Sequence, residues 1–227
     1  MMDPHRVLLR MRDVGFALEA AGAYRKRLNR IGLQKFIYLQ DAISTLYEVL
    51  PPVEAYQTYK HGPYDPAVQN AVDSLAFRGF VRVFGVERDP DGHVSATYAM
   101  SEAGSLMVGK LAQAEPFRAR WEAAADVAVK IERLGWHRLR ELAYAEPTYA
   151  MARIRGFGQS LRPEDRLANS SASLLELVRM TAGRGFEGAY PSRGQLLELF
   201  FRYLDTYAAI AHRKSTSLPT LPGEATP

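Results

Sequence analysis

The chain of 227 residues contains no cysteine. This absence excludes disulfide bonds, thiol catalysis and zinc sites built from cysteine ligands. The sequence also has no uncharged apolar stretch long enough to cross a bilayer, and its N-terminus lacks the apolar run of a signal peptide. These absences predict a cytoplasmic protein that has no membrane partner.

Signatures of catalysis are equally scarce. No P-loop, G-x-S-x-G elbow or HExxH motif occurs. The histidines stand too far apart for a helical metal pair, at His5, His61, His93, His137 and His212. Residues 183–188 match G-x-G-x-x-G, but a predicted helix precedes them where a dinucleotide site needs a strand, so we interpret these glycines as a helix stop and a loop. We therefore predict a protein that is not an enzyme and that has no metal site and no cofactor.

The net charge of +4 is unevenly distributed along the chain. Residues 1–35 contain eight Lys and Arg against three Asp and Glu, whereas residues 36–100 contain four against eight. The basic character therefore lies in the N-terminal segment.

The clearest fold signal lies in residues 60–83. Gly62 and Pro63 predict a stiff turn, after which Asp65 caps a helix whose first turn holds Pro66. Apolar residues at helical spacing and a terminating glycine follow, namely Val68, Val72, Leu75 and Gly79. The β-branched and aromatic run at residues 80–84 then predicts a strand. Asp91-Gly92 is typical of a hairpin turn, and the alternation over residues 93–100 predicts the returning strand. Turn, capped helix, glycine stop and hairpin together predict a winged-helix module.

The remaining chain is predicted to be largely helical. Apolar periodicity predicts helices over residues 5–23, 31–50, 101–114, 117–135, 136–145, 173–182 and 195–211, with a short strand at 55–59 and a loop at 155–172. The predicted fold class is mainly α with a small β-hairpin wing. It comprises a winged-helix-like N-terminal module (1–114), a helical C-terminal part (115–212) packed on it and a disordered tail (213–227).

Two kinds of partner follow from this architecture, and the first is DNA. A winged helix usually places its second motif helix in the major groove. Here that helix, residues 65–78, has Arg78 as its only cation, so conventional docking is disfavoured. The candidate nucleic-acid contacts are instead Arg25, Lys26, Arg27, Arg30 and Lys35, with Arg82 and Arg88 in the wing. The alternative function is thus a dimeric DNA-binding transcriptional regulator, and the competing interpretation of these cations is a solvated basic linker.

The second kind of partner is a protein. Aromatic and polar side chains crowd the approach to the GPYDP sequence, and the candidate contacts are Tyr56, Tyr59, Lys60, His61 and Tyr64. Aromatic residues of this kind are favoured at interface hot spots because they bury a large area at a small cost in entropy. We also expect one or two of these rings to pack inward.

A family resemblance supports the second alternative. Residues 32–40, GLQKFIYLQ, and residues 59–68, YKHGPYDPAV, resemble the "LQKLLYL … Y-x-GP-x-x-P" pattern of the Panacea-type (SocA-like) antitoxin domain and of the related YwgA-like winged-helix proteins. The resemblance covers about residues 30–106. It implies a non-enzymatic helical and winged module that neutralises a toxin, or acts as an adaptor or regulator, by direct binding. We therefore expect a non-catalytic protein whose partner is a toxin or a defence effector.

Overall fold

The computed structural model describes residues 4–53, 56–88, 94–185 and 190–216. Elements of the first half are α1 (Pro4–Gly22), β1 (Leu28–Asn29), α2 (Arg30–Ala42), a 3-10 turn (Ser44–Tyr47), β2 (Tyr56–Tyr59), β3 (Gly62–Tyr64), α3 (Pro66–Phe77), β4 (Val81–Arg88), β5 (Val94–Met100) and α4 (Glu102–Gln113). Those of the second half are α5 (Glu115–Leu134), a 3-10 turn (Trp136–Arg138), α6 (Leu139–Ala145), α7 (Pro147–Ile154), β6 (Ser160–Leu161), α8 (Ser170–Gly185) and α9 (Arg193–Thr216).

The first half has the topology of a winged helix. β1, β5 and β4 form an antiparallel sheet in that order, with Leu28 and Val83 both opposite Tyr98. The helices α1, α2 and α3 precede the long β4–β5 wing, and the β2–β3 hairpin is inserted between α2 and α3. The predicted fold class, mainly helical with a small β wing, is confirmed.

Local signals correctly predicted both ends of α3 and the start of α4. The Asp65 carboxylate accepts a hydrogen bond from the Ala67 amide at 2.9 Å and caps α3. Gly79 adopts a φ of +77° directly after that helix, as the C′ position requires. Ser101 caps α4 by accepting a bond from the Gly104 amide at 3.1 Å.

Two predictions in the first half are wrong. Helix α2 ends at Ala42 instead of residue 50, because the chain tightens into a 3-10 turn and Glu48 takes a left-handed φ of +57°. That turn still buries Tyr47, so the apolar periodicity that predicted the longer helix continues past the end of α2. Gly62 and Pro63 do not form the turn but belong to strand β3, and the chain reverses one step earlier.

The second half contains more structure than predicted. Helix α6 ends at Ala145, as predicted, but Pro147 then begins a further helix, α7, because proline fits the first turn of a helix. The predicted loop at 155–172 includes strand β6, which pairs with β2, and the first residues of α8. Helix α9 continues through Thr216, into the predicted disordered tail. The rest of that tail, residues 217–227, and the Asp91-Gly92 turn lie outside the described residues.

The two halves share one hydrophobic core. Buried side chains of α1 and α2, such as Phe16 and Phe36, belong to the same cluster as Ile131 of α5 and Phe200 of α9. The C-terminal part therefore packs on the N-terminal module, and the division at residue 114 stays a prediction. No helix in the described part of the chain is long and apolar enough to cross a membrane.

Candidate functional site

The β2–β3 hairpin is held along β2, the central strand of the sheet β3-β2-β6. The Thr58 amide donates to the Gln159 carbonyl at 2.8 Å, and the Gly158 amide donates to the Thr58 carbonyl at 2.8 Å. The Thr58 hydroxyl donates to the Gly156 carbonyl at 2.9 Å and accepts a bond from the Gln159 amide at 2.9 Å. The segment leading into β6 therefore fixes the hairpin backbone on one side.

Helix α2 fixes the hairpin on its other side. The Gln34 amide forms a reciprocal pair with the Asp65 backbone, donating to the carbonyl at 2.8 Å and accepting from the amide at 2.9 Å. The Lys35 ammonium donates to the Pro63 carbonyl at 3.2 Å. The two sequence stretches 32–40 and 59–68 thus contact each other directly.

Gly62 allows the hairpin to approach α2 and α6 closely. Its φ is +100°, a conformation that favours glycine. A Cβ at this position would lie 2.4 Å from the Tyr144 ring and 2.5 Å from the Lys35 ammonium. The hairpin packs against α2 and α6 only because residue 62 has no side chain.

A buried network of charges lies beneath the hairpin. Asp65 accepts bonds from Arg10 at 2.7 Å and from the partly exposed Arg6 at 2.5 Å. Arg10 also pairs with Asp13 at 2.9 Å and with Asp41 at 2.8 Å. Arg10 and all three carboxylates are fully buried. The network connects α1, α2 and the cap of α3, so it positions the start of the winged helix.

Arg120 joins this network from the second half of the chain. Its guanidinium, on α5, donates two bonds to Asp13 at 3.0 Å and a further bond to Asp41. Burial would raise the pKa of Asp13, but the guanidinium groups of Arg120, Arg12 and Arg10 outweigh that effect and hold the pKa well below its usual range. Asp13 is therefore a structural carboxylate and not a proton donor near neutral pH.

A second buried cluster surrounds Glu146. Its carboxylate accepts bonds from the Tyr38 hydroxyl, from the Ser171 hydroxyl at 2.6 Å and from the Tyr149 amide at 2.8 Å. Burial and the neighbouring Glu146 raise the pKa of Tyr38 well above its usual value, so the phenol stays protonated. These groups join α2, α7 and α8 and serve the packing of the second half.

The exposed face of the hairpin carries the grouped aromatic rings. Tyr59 is 53% exposed, and its ring centre lies 5.4 Å from that of Tyr64 and 6.3 Å from that of His61. Lys60 is exposed between them, and the bond from Gly158 to Thr58 places Phe157, which is 66% exposed, beside the hairpin. We call this set, Tyr59, Lys60, His61, Tyr64 and Phe157, the hairpin surface.

Tyr56 does not belong to that surface, so its prediction as a partner contact is corrected. Its side chain is 1% exposed and packs edge-on against Tyr38 with ring centres 5.0 Å apart. Its hydroxyl donates to Asp41 at 2.8 Å. Tyr56 and Tyr59 are three residues apart in one strand, so they point to opposite faces.

Of the seven predicted nucleic-acid contacts, six are exposed and one is buried. Arg25, Lys26, Arg27 and Arg30 are exposed around β1, and the Arg27 guanidinium lies 3.8 Å from the centre of the Phe84 ring on the wing. Arg82 and Arg88 are exposed on β4. Lys35 is only 2% exposed, so its prediction as a contact on an open surface is corrected.

The buried network also changes the electrostatic picture. Asp41 and Asp65 contribute to the acidic balance of residues 36–100, but both are buried against arginines. The outer face of α3 is nevertheless poor in cations. It presents the Gln69–Asp73 hydrogen-bonded pair and the exposed Phe77 ring, with Arg78 only at its C-terminus.

Comparison with known proteins finds no matching family model and no matching curated protein. Within the described residues no group of three or more His, Cys, Asp or Glu side chains could hold a metal ion. Evidence on function therefore comes from the exposed surfaces and cavities of this structure.

Phe157 and two basic residues around the start of α6, His137 and Arg140, were not predicted from the sequence. Phe157 lies between two glycines in a segment predicted to be a loop, and an aromatic ring in such a turn was the available signal. Arg140 and His137 come close to Lys26 and Arg27 only through packing of the second half on the first, which local sequence does not reveal.

Proposed function

We propose that this chain is a cytoplasmic, non-catalytic binding protein that engages a protein partner, a toxin or defence effector, through the hairpin surface. The observation that carries this proposal is the grouping of the exposed Tyr59 and His61 with the half-buried Tyr64 on a hairpin whose backbone is bonded on both sides. The resemblance of residues 30–106 to antitoxin modules supports the same function.

Rigidity favours this surface as a binding site. Association costs less when the contacting groups are already ordered, and a tyrosine loses few rotamers on burial. Thr58 and Gly62 hold the two strands of the hairpin in place, so Tyr59 and Tyr64 present a preformed face. Phe157, which is 66% exposed, adds an apolar ring on the neighbouring segment, next to the Gly158 amide that donates to Thr58.

The outer face of α3 also fits a protein better than DNA. Recognition helices that bind DNA need cations for phosphates and donors for base edges. Here Asp73 and Phe77 are exposed where such contacts would be made. An apolar ring beside a carboxylate suits a mixed protein interface.

Co-expression with the products of neighbouring genes tests this proposal. We expect one of them to co-purify with the wild-type chain and to bind the Tyr59→Ala/His61→Ala variant at least about thirtyfold more weakly, because hot-spot truncations cost about 2 kcal/mol or more. Tyr190→Ala removes an equally exposed tyrosine near α9 and should leave binding unchanged. Equal retention of the partner by the double variant would contradict the proposal.

A dimeric DNA-binding regulator is the second candidate function. It is favoured by the exposed cations around β1, since Arg27 stacks on Phe84 and so places the basic connector beside the wing. Backbone phosphates would be the contacts, because no base-reading helix accompanies these side chains.

Salt dependence of duplex binding tests this candidate. Log affinity should fall steeply with log salt, and neutralising Arg25, Lys26 and Arg30 to Gln should reduce that slope by about 0.9 for each lost phosphate contact. Arg202→Gln on α9 is the control and should leave the slope unchanged. A slope that the triple variant leaves intact would rule out this surface as the DNA site.

A further inference from the structure

A cavity of about 370 Å³ opens between the basic connector, the N-terminus of α2 and the start of α6. Lys26, Arg27, His137 and Arg140 are exposed around its mouth. Lys35 is among the buried residues that form its floor. Trp136 lines one wall and stacks on Phe36 with the ring planes 6° apart, so that wall is rigid.

The described residues that line this cavity carry charge of one sign only. Five basic side chains reach it, and none of these described lining residues is acidic. The N-terminus of α2 adds to the positive field, because Asn29 and Gly32 lie on the lining and the helix dipole points its positive end there. Since like charges repel, an anion bound among these side chains would be stabilised by several of them at once.

Lys35 is the most unusual member of this group. Its ammonium donates to the Pro63 carbonyl, and no carboxylate pairs with it anywhere in the part of the chain that the structure describes. Burial and the nearby Arg140 lower the pKa of Lys35 to about 7. An unpaired buried cation is costly, and an anion in the cavity would supply the missing counter-charge.

We infer that this cavity binds a small phosphate-bearing organic anion, with its phosphate near Lys35 and Arg140 and its organic part against Trp136. A phosphate accepts several charge-assisted hydrogen bonds at once, and Lys and Arg are its usual protein ligands. The volume fits a ligand of mononucleotide size. The buried position of Lys35 favours a discrete small ligand over a duplex, whose backbone stays on the surface.

Calorimetric titration of the full chain with AMP, inorganic phosphate and adenosine tests the site. We expect AMP to bind at least about tenfold more tightly than adenosine, which lacks the phosphate. Arg140→Gln and Arg27→Gln should each weaken AMP binding about tenfold or more, because each removes a charged donor. Arg202→Gln, an exposed arginine on α9, should have no effect.

Proton uptake gives a second readout that a merely structural role would not produce. At pH 8, above the pKa of Lys35, its side chain is mainly the neutral amine. A bound phosphate should favour transfer of a proton from the buffer to this amine, so the heat of binding should vary with the ionisation enthalpy of the buffer. The other groups near Lys35 are Arg140 and Tyr144 of α6, Lys26 and Arg27 of the connector, and His137. Lys35→Met should abolish the uptake.

Three outcomes would overturn this inference. The first is that neither AMP nor inorganic phosphate binds. The second is that AMP and adenosine bind equally, which would make the cavity an aromatic site and not an anion site. The third is that duplex DNA binds through these cations while the small probes do not. None of these outcomes depends on whether the hairpin surface binds a protein partner.

Discussion

Replacing Arg120 with Met is expected to lower the free energy of unfolding by about 3–5 kcal/mol, because it removes one of the counter-charges of two buried carboxylates, Asp13 and Asp41. Arg120 is fully buried and is the only residue of the second half that pairs with Asp13 and Asp41 within the described chain. Methionine has a similar length, so the loss of volume contributes little. Arg10 must then serve three aspartates, with help only from Arg12 at Asp13 and from Arg6 at Asp65.

Urea denaturation followed by circular dichroism measures this effect. Arg202→Met is the matched control, since the Arg202 side chain is 74% exposed and its removal should change stability by less than about 0.5 kcal/mol. A loss below about 1 kcal/mol for Arg120→Met would mean that the network does not connect the two halves energetically.

The same variant should change the response to acid. The pKa of Asp13 is lowered in the folded state, so its stabilising contribution is present above the ordinary value of 3.8 and is lost as the pH falls below it. Wild-type stability should therefore decline steeply below about pH 4. In Arg120→Met that decline should be shallower, because the main cause of the lowered pKa is gone.

Replacing Gly62 with Ala should destabilise the protein by about 3 kcal/mol or more. A φ of +100° disfavours any residue with a Cβ, at about 1–2 kcal/mol. The new methyl group would also meet the Tyr144 ring and the Lys35 ammonium at about 2.5 Å, and overpacking of this kind adds about 1–3 kcal/mol.

Gly85→Ala separates the two contributions to this effect. Gly85 also has a positive φ, +56°, but a Cβ there meets nothing within 4 Å. Its substitution should therefore lower stability only through the unfavourable backbone conformation, by about 1 kcal/mol. Equal losses for both variants in thermal denaturation would show that the close packing of Gly62 against α2 and α6 contributes nothing.

Local chemistry explains why the winged helix could be predicted from sequence. The cap at Asp65, the stop at Gly79 and the cap at Ser101 each depend on residues a few positions away. The conformation of Gly62 was also foreseeable, but its place in a strand was not. That strand depends on contacts with Gln34 and Lys35, about thirty positions earlier in the chain.

The charge network had no sequence signal at all. Arg10, Asp13 and Arg120 look like surface residues of amphipathic helices, and Arg120 pairs with Asp13 across 107 positions. Such pairs form only when two helices pack face to face. They cannot be inferred from the period of either helix.

The candidate site was predicted in part. Tyr59, His61 and Tyr64 are grouped, with Tyr59 and His61 exposed and Tyr64 half-buried, whereas Tyr56 is buried. The alternation of a strand with period two would have separated Tyr56 from Tyr59, had both been assigned to the same strand. The burial of Lys35 was harder to predict, because α2 is buried on nearly every side and its sequence pattern does not distinguish a polar face.

Hydrogen exchange on the co-purified complex tests the central claim most directly. If the hairpin surface is the binding site, amides of residues 57–64 and 156–159 should exchange more slowly in the complex than in the isolated chain. Amides of α8 should be unchanged. Protection confined to residues 25–30 and the wing, with the hairpin unaffected, would contradict the assignment of the hairpin surface as the partner site.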